Sequence, residues 1–166
     1  EQFLSFTTQD GLPHNQVNAV IEDPHGQVWM GTNQGIYVYA GEGKTPAFRL
    51  YNQSNSFISN QVIFLKKDRN NNLWIGSTDQ GVMLYHTGQG RFVSQPRIND
   101  YLPFQTISMG ITALEIGKEN HLWIGTIQGL IEYDTENDRY IATYTQEAGV
   151  TGNHITALYA DSKGDL

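Results

Sequence analysis

The chain has 166 residues and is acidic, with 17 Asp and Glu against 10 Lys and Arg and a net charge of −7. Nucleic acids and anionic membrane surfaces are recognised by clustered Lys and Arg, so this balance argues against both as partners. There is no cysteine for disulfide or thiol chemistry, and the hydrophobic fraction of 39% suffices for a packed core.

Three tryptophans mark an internal repeat. The sequence VWMGT at 28–32 returns as LWIGS at 73–77 and as LWIGT at 122–126, which places the tryptophans 45 and 49 residues apart. A period of this length is typical of one four-stranded propeller blade. The sequence therefore predicts an all-β fold: a β-propeller of four-stranded antiparallel blades, of which about three and a half lie in this chain.

In chain order, residues 1–166 are predicted to form part of one propeller domain. Residues 6–17 align without a gap with 51–62 and 144–155, so 1–6 copy the last strand of a blade. We expect 1–6 to be the outer strand of a closing blade whose other strands lie in sequence beyond this chain. Blade 1 is predicted over 17–51, blade 2 over 62–95, blade 3 over 111–144 and the start of blade 4 over 155–166. The fourth copy reaches residue 166 one position before its expected tryptophan, which indicates a piece of a longer protein.

Each predicted blade consists of four strands joined by turns. The first turn has Asp at its start in three copies and ends with a residue that tolerates left-handed backbone geometry: Gly26, Asn71, Asn120 and Gly164. The second strand holds the tryptophan and is apolar on both sides, as expected when neighbouring blades cover it. A glycine two positions after each tryptophan is predicted to let the adjacent blade approach the indole: Gly31, Gly76 and Gly125. No helix is predicted, and residues 96–110 form one expanded connection.

These motifs resemble the two-component regulator propeller repeat. They stand here as LPHNQV at 12–17, DPHG at 23–26, WMGT at 29–32 and GIYVY at 35–39, while the third repeat has Met109 and Gly117 in place of the Asn and Asp. The resemblance implies a periplasmic sensor region of a bacterial inner-membrane signalling protein. Such a region would bind a small molecule or carbohydrate and regulate a cytoplasmic histidine kinase, diguanylate cyclase or DNA-binding output.

Polar loop residues form the candidate ligand site. In an antiparallel meander, the loop entering the first strand and the turn between the second and third strands lie at the same end of the blade. Amides and a carboxylate there suit hydrogen bonds to sugar hydroxyls or other polar groups. For the aligned asparagines, capping of the local backbone is the favoured expectation, because a residue that recurs at a fixed loop position usually has this role. The candidate ligand-binding residues are His14, Asn15, Asn33, Gln34, Asn60, Asp79, Gln80, Gln128, Asn153 and His154.

No catalytic motif is present in the sequence, so this part of the protein is not expected to be an enzyme. The five histidines show no metal-ligand spacing, and neither a metal nor a cofactor is expected. The acidic pairs Glu22 with Asp23 and Glu136 with Asp138 are predicted to be solvated hairpin turns. The tryptophans and third-strand tyrosines are predicted to be core residues rather than a sugar-stacking platform.

Two alternative functions remain open at this stage. A propeller enzyme, a lyase or glycosidase, would need carboxylates clustered near the axis, where only Asp79 qualifies. A protein-interaction scaffold would need an apolar surface at the same end of the blades. The expected partner is a small-molecule or carbohydrate ligand, with no nucleic acid and with membrane contact only through segments outside this chain. An open edge would also favour pairing with a second copy as a homodimer.

Overall fold

The computed structural model describes residues 7–12, 14–39, 47–55, 59–93, 97–102 and 110–166. Within them, twelve strands form three four-stranded antiparallel sheets, each in sequence order. Blade 1 comprises β1 Val17–Glu22, β2 Val28–Thr32, β3 Gly35–Tyr39 and β4 Phe48–Tyr51. Blade 2 comprises β5 Val62–Lys67, β6 Leu73–Ser77, β7 Gly81–His86 and β8 Arg91–Val93. Blade 3 comprises β9 Ile111–Ile116, β10 His121–Thr126, β11 Gly129–Asp134 and β12 Arg139–Tyr144.

The all-β prediction is confirmed, because the described residues contain strands and only short 3-10 helices. The proposed closing strand at 1–6 and residues 94–96 lie outside the described residues. Residues 155–166 contain no assigned strand, but Asp161 Oδ1 accepts the N–H groups of Lys163 and Asp165, so the turn of a fourth repeat forms. The expanded connection contains a short 3-10 helix, Arg97–Tyr101, rather than loop alone.

The first turn of blade 1 is organised by a buried carboxylate. Asp23 Oδ1 accepts the backbone N–H groups of His25 and Gln27 at 2.8 and 2.9 Å, and Oδ2 accepts the Trp29 indole N–H at 3.1 Å. Asp68 binds the indole of Trp74 in the same way. The prediction of a solvated acidic pair is therefore wrong for Asp23, which is only 4% exposed. Three N–H donors offset the cost of burying this carboxylate beneath the indole.

The turn residues adopt the left-handed conformation that the sequence predicts. Gly26 and Gly164 have φ values of 75° and 80°, and Asn71 and Asn120 replace glycine with φ values of 64° and 62°. Asparagine tolerates this region better than other side chains because it can hydrogen-bond locally. Asn71 thus takes the place of glycine in the turn, whereas in the third repeat Glu119 is left-handed as well, with a φ of 52°.

Adjacent blades pack face to face around aromatic side chains. Trp29 of blade 1 contacts Tyr85 and Phe92 of blade 2, with ring centroids 4.5 and 6.4 Å apart, and Trp74 meets Tyr133 of blade 3 at 6.5 Å. One apolar cluster joins blades 1 and 2, and a second joins blades 2 and 3. Trp29 and Trp74 are therefore core residues, as predicted. Trp123 is only half-buried and stacks on Tyr144 of its own blade.

The glycines after the tryptophans explain part of this close packing. A Cβ on Gly31 would lie 2.7 Å from Val62, and one on Gly125 would lie 2.8 Å from Ile155, so both admit the next repeat. The space beside each glycine is filled by the first residue of the next repeat. The prediction that these glycines let the adjacent blade approach the indole is therefore wrong. A Cβ on Gly76 would instead lie 3.0 Å from the side chain of Phe64, which belongs to the same blade. The large Phe64 side chain occupies there the space that the next repeat fills elsewhere.

Candidate functional site

The side chains of the aligned asparagines form hydrogen bonds within the loops that precede three of the repeats. The side-chain carbonyls of Asn15, Asn60 and Asn153 each accept the backbone N–H seven residues upstream, at Thr8, Gln53 and Gln146. The distances are 3.2, 3.5 and 2.7 Å in that order. The capping role predicted for these residues is therefore present in all three loops. The bond made by Asn60 is the longest of the three.

This difference predicts unequal effects on stability. Asn153→Ala should lower the free energy of unfolding by about 1–2 kcal/mol, because it removes a short bond to a loop amide. Asn60→Ala should cost less than half as much. Urea unfolding followed by circular dichroism measures the stability of both variants. Equal losses would show that hydrogen-bond length does not determine how much each asparagine contributes to stability.

One pocket at the loop end of blade 1 brings three of the predicted residues together. It encloses about 240 Å³ and lies between the β2–β3 turn and the loop from β4 to β5. The predicted residues that line it are Asn33, Gln34 and Asn60. Tyr37, Leu50 and Asn52 complete the described lining. We call this site the blade 1 pocket.

Asn33 is held in place by a short chain of amide groups. Its side-chain carbonyl accepts a hydrogen bond from Asn18 at 2.9 Å, and its amide nitrogen donates to Gln16 at 3.2 Å. The Asn18 amide also donates to the backbone carbonyl of Val62 at 2.9 Å, which ties blade 1 to blade 2. One wall of the blade 1 pocket is therefore preorganised by the contact between the blades.

Tyr37 is the buried polar group of the blade 1 pocket. The residue lies on β3 and is 2% exposed, and its hydroxyl donates to no acceptor among the described residues. Burial raises the pKa of this hydroxyl, so the neutral phenol is stabilised. Tyr37 can thus present a neutral hydrogen-bond donor and acceptor to a bound group.

The other predicted residues lie outside the blade 1 pocket. The His14 ring accepts the Gln16 N–H at 3.0 Å, and Asp79 accepts the buried hydroxyl of Ser59. Gln80 and Gln128 donate their backbone N–H groups to Ser77 and Thr126 within the β6–β7 and β10–β11 turns. Asn15 and Asn153 fasten loops, and His154 is exposed. The ten residues therefore do not form one continuous site.

Three pocket residues were not predicted from the sequence: Tyr37, Leu50 and Asn52. Tyr37 does carry a signal, because the aligned third-strand positions are the apolar Met83 and Ile131. A single hydroxyl at a position that is otherwise apolar indicates a local polar environment. Leu50 and Asn52 join the pocket through the path of the loop, which the repeat pattern does not determine.

Stacked four-stranded sheets with a tryptophan on each second strand define this fold as part of a β-propeller. The family model of the two component regulator propeller matches residues 11–34 and 56–79. These two stretches correspond to the first two repeats read from the sequence, and the resemblance inferred from the motifs is confirmed.

Related proteins include a signalling enzyme and bacterial extracellular domains. Histidine kinase P4 of Formosa agariphila is 29% identical over 157 residues, which cover 92% of this chain and 11% of the kinase. The crystal structure of the extracellular domain of the putative hybrid two component system BT4673 from B. thetaiotaomicron superposes with a TM-score of 0.71 and 18% identity. It aligns with 90% of this chain and 22% of its own length.

A second surface protein has the same fold. PorZ, a component of the type-IX secretion system of Porphyromonas gingivalis, superposes with a TM-score of 0.67 and 18% identity over 96% of this chain and 26% of PorZ. The chain thus spans about a tenth of the related kinase and about a quarter of these two structural neighbours. Within the described residues, no helix has the length and apolar character needed to cross a bilayer.

Proposed function

We propose that this chain is the ligand-sensing part of a bacterial signal-transduction receptor. In this role the propeller binds a small molecule or carbohydrate in the periplasm without catalysing a reaction. Binding then regulates a cytoplasmic kinase, cyclase or DNA-binding output located elsewhere in the protein. The observation on which the proposal rests is the blade 1 pocket, where neutral polar groups converge beside the contact between two blades.

The blade 1 pocket supports binding rather than catalysis. No carboxylate, histidine or lysine is present among its described lining residues, and the one titratable group among them is the Tyr37 phenol, whose pKa is raised by burial so that it stays neutral. Asp79, the one acidic candidate from the sequence, is hydrogen-bonded to Ser59 and does not line this pocket. The relationship to a histidine kinase and the shared fold with extracellular domains both favour signalling.

Deleting the whole gene tests the sensor role. We expect a set of transcripts to be induced on at least one carbon source in the parent strain and to lose that induction in the deletion strain. Reintroducing the gene should restore induction, which controls for effects of the deletion on neighbouring genes. Identical transcript profiles of parent and deletion strains on every carbon source would contradict the proposed function.

A further inference from the structure

We infer that the blade 1 pocket recognises an uncharged ring bearing hydroxyl groups and rejects the acidic form of the same ring, with Tyr37 contacting the ligand directly. This inference depends on the proposed sensor function only in assuming that a ligand binds at this end of the blades. Beyond that function, the inference specifies that the ligand is uncharged, that it binds in the blade 1 pocket and that Tyr37 contacts it.

The chemical character of the lining determines the preferred charge. The described lining residues comprise four amide side chains, one phenol and one leucine, and none of them is charged. A carboxylate or sulfate seated against these neutral amides would lose part of its hydration without gaining a cationic partner. Amides and a phenol offer both donors and acceptors, which match the hydroxyl groups of a neutral ring.

Hydrogen-bonding groups in the lining are free to meet such a ligand. The Tyr37 hydroxyl donates to no acceptor among the described residues, and within them the Gln34 side chain likewise makes no hydrogen bond. Asn60 makes only long bonds to Gln53, at 3.5 Å to its N–H and 3.4 Å to its side chain. These groups can bind a ligand without first breaking a strong internal bond.

The size of the blade 1 pocket limits the ligand to one small unit. Its volume of about 240 Å³ is below the roughly 300–1,000 Å³ of pockets that enclose drug-sized molecules. One ring, free or at the end of a longer chain, fits this volume. Leu50 adds an apolar surface against which one side of a ring can pack.

Three matched pairs of sugars test the inference on the full-length protein. Titration calorimetry compares glucose with glucuronate, galactose with galacturonate and mannose with mannuronate, because each pair differs only at C6, where a carboxylate replaces the hydroxymethyl group. We expect at least one neutral sugar to bind, and to bind at least about tenfold more tightly than its acid. Tyr37→Phe should weaken that binding about three- to tenfold, the loss expected for one neutral hydrogen bond.

Two further variants separate ligand contact from general damage. Gln34→Ala should weaken binding about threefold, since the exposed side chain supports no described structural bond. Tyr85→Phe, the same change on the third strand of blade 2, should leave binding unchanged because Tyr85 packs on Trp29 outside the pocket. The inference is overturned if none of the three neutral sugars binds, if an acid binds as tightly as its neutral partner, or if Tyr37→Phe binds like wild type.

The outcomes also separate this inference from the proposed function. Transcript induction that requires the gene but is unaffected by Tyr37→Phe would retain the sensor role and reject the blade 1 pocket as its site. If Tyr37→Phe weakens sugar binding in calorimetry but transcript induction does not require the gene, the blade 1 pocket is supported as a binding site and the sensor role is rejected.

Discussion

Replacing Trp29 by alanine is expected to destabilise the protein by about 3–5 kcal/mol, the range measured when large buried aromatic residues are truncated. Trp29 is 1% exposed, stacks on Tyr51 of its own blade and contacts Tyr85 and Phe92 of blade 2. Its removal would leave a cavity between two blades and would also strand the buried carboxylate of Asp23 without its indole donor. Urea unfolding followed by circular dichroism measures the loss.

Trp123→Ala is the matched control within the same repeat position. Trp123 is half-buried, its one described ring partner is Tyr144, and Gly117 replaces the aspartate that binds the other two indoles. We therefore expect it to cost less than half as much as Trp29→Ala. Equal losses at the two positions would show that the contacts between blades contribute little beyond the burial of each indole.

The fold could be predicted because its signals are local and repeated. Tryptophan spacing, turn residues and strand alternation each involve a few neighbouring positions, and three copies reinforce each other. Asn71 and Asn120 could be placed in left-handed turns because they align with Gly26. Repeated local signals of this kind therefore predicted the four-stranded antiparallel sheets.

The site was less predictable because it depends on how distant segments meet. Asn33 and Asn60 lie 27 positions apart in the sequence, and only the path of the β4–β5 loop brings both to the blade 1 pocket. The same limit applies to Asp23, whose burial follows from the position of the Trp29 indole above the turn. An aspartate in a hairpin turn is usually solvated, so composition alone favoured the wrong environment.

Gly35→Ala is expected to lower stability by more than about 3 kcal/mol. Gly35 has a φ of +116°, a region that side-chain-bearing residues rarely adopt, and a Cβ there would lie 2.3 Å from the backbone carbonyl oxygen of Tyr51. A Cβ on the aligned Gly129 of blade 3 would likewise lie 2.6 Å from the carbonyl oxygen of Tyr144, so blades 1 and 3 share the close approach of the fourth strand to this turn. Neither backbone segment can move away without disturbing the strand pairing of its blade.

Two other glycines separate the conformational cost of a positive φ from the cost of the steric clash. Gly149 has a φ of +99° but open space around a Cβ, so Gly149→Ala should show the conformational cost alone, about 1–2 kcal/mol. Gly88 also has open space and no positive φ, so Gly88→Ala should change stability by less than about 0.5 kcal/mol. Unfolding measurements on the three variants should give the order Gly35, Gly149, Gly88, from largest to smallest loss. A Gly35 variant no less stable than the Gly149 variant would mean that the turn beside the blade 1 pocket can relax. In that case the position of Gln34 at the pocket wall would not be fixed by the close approach of β4.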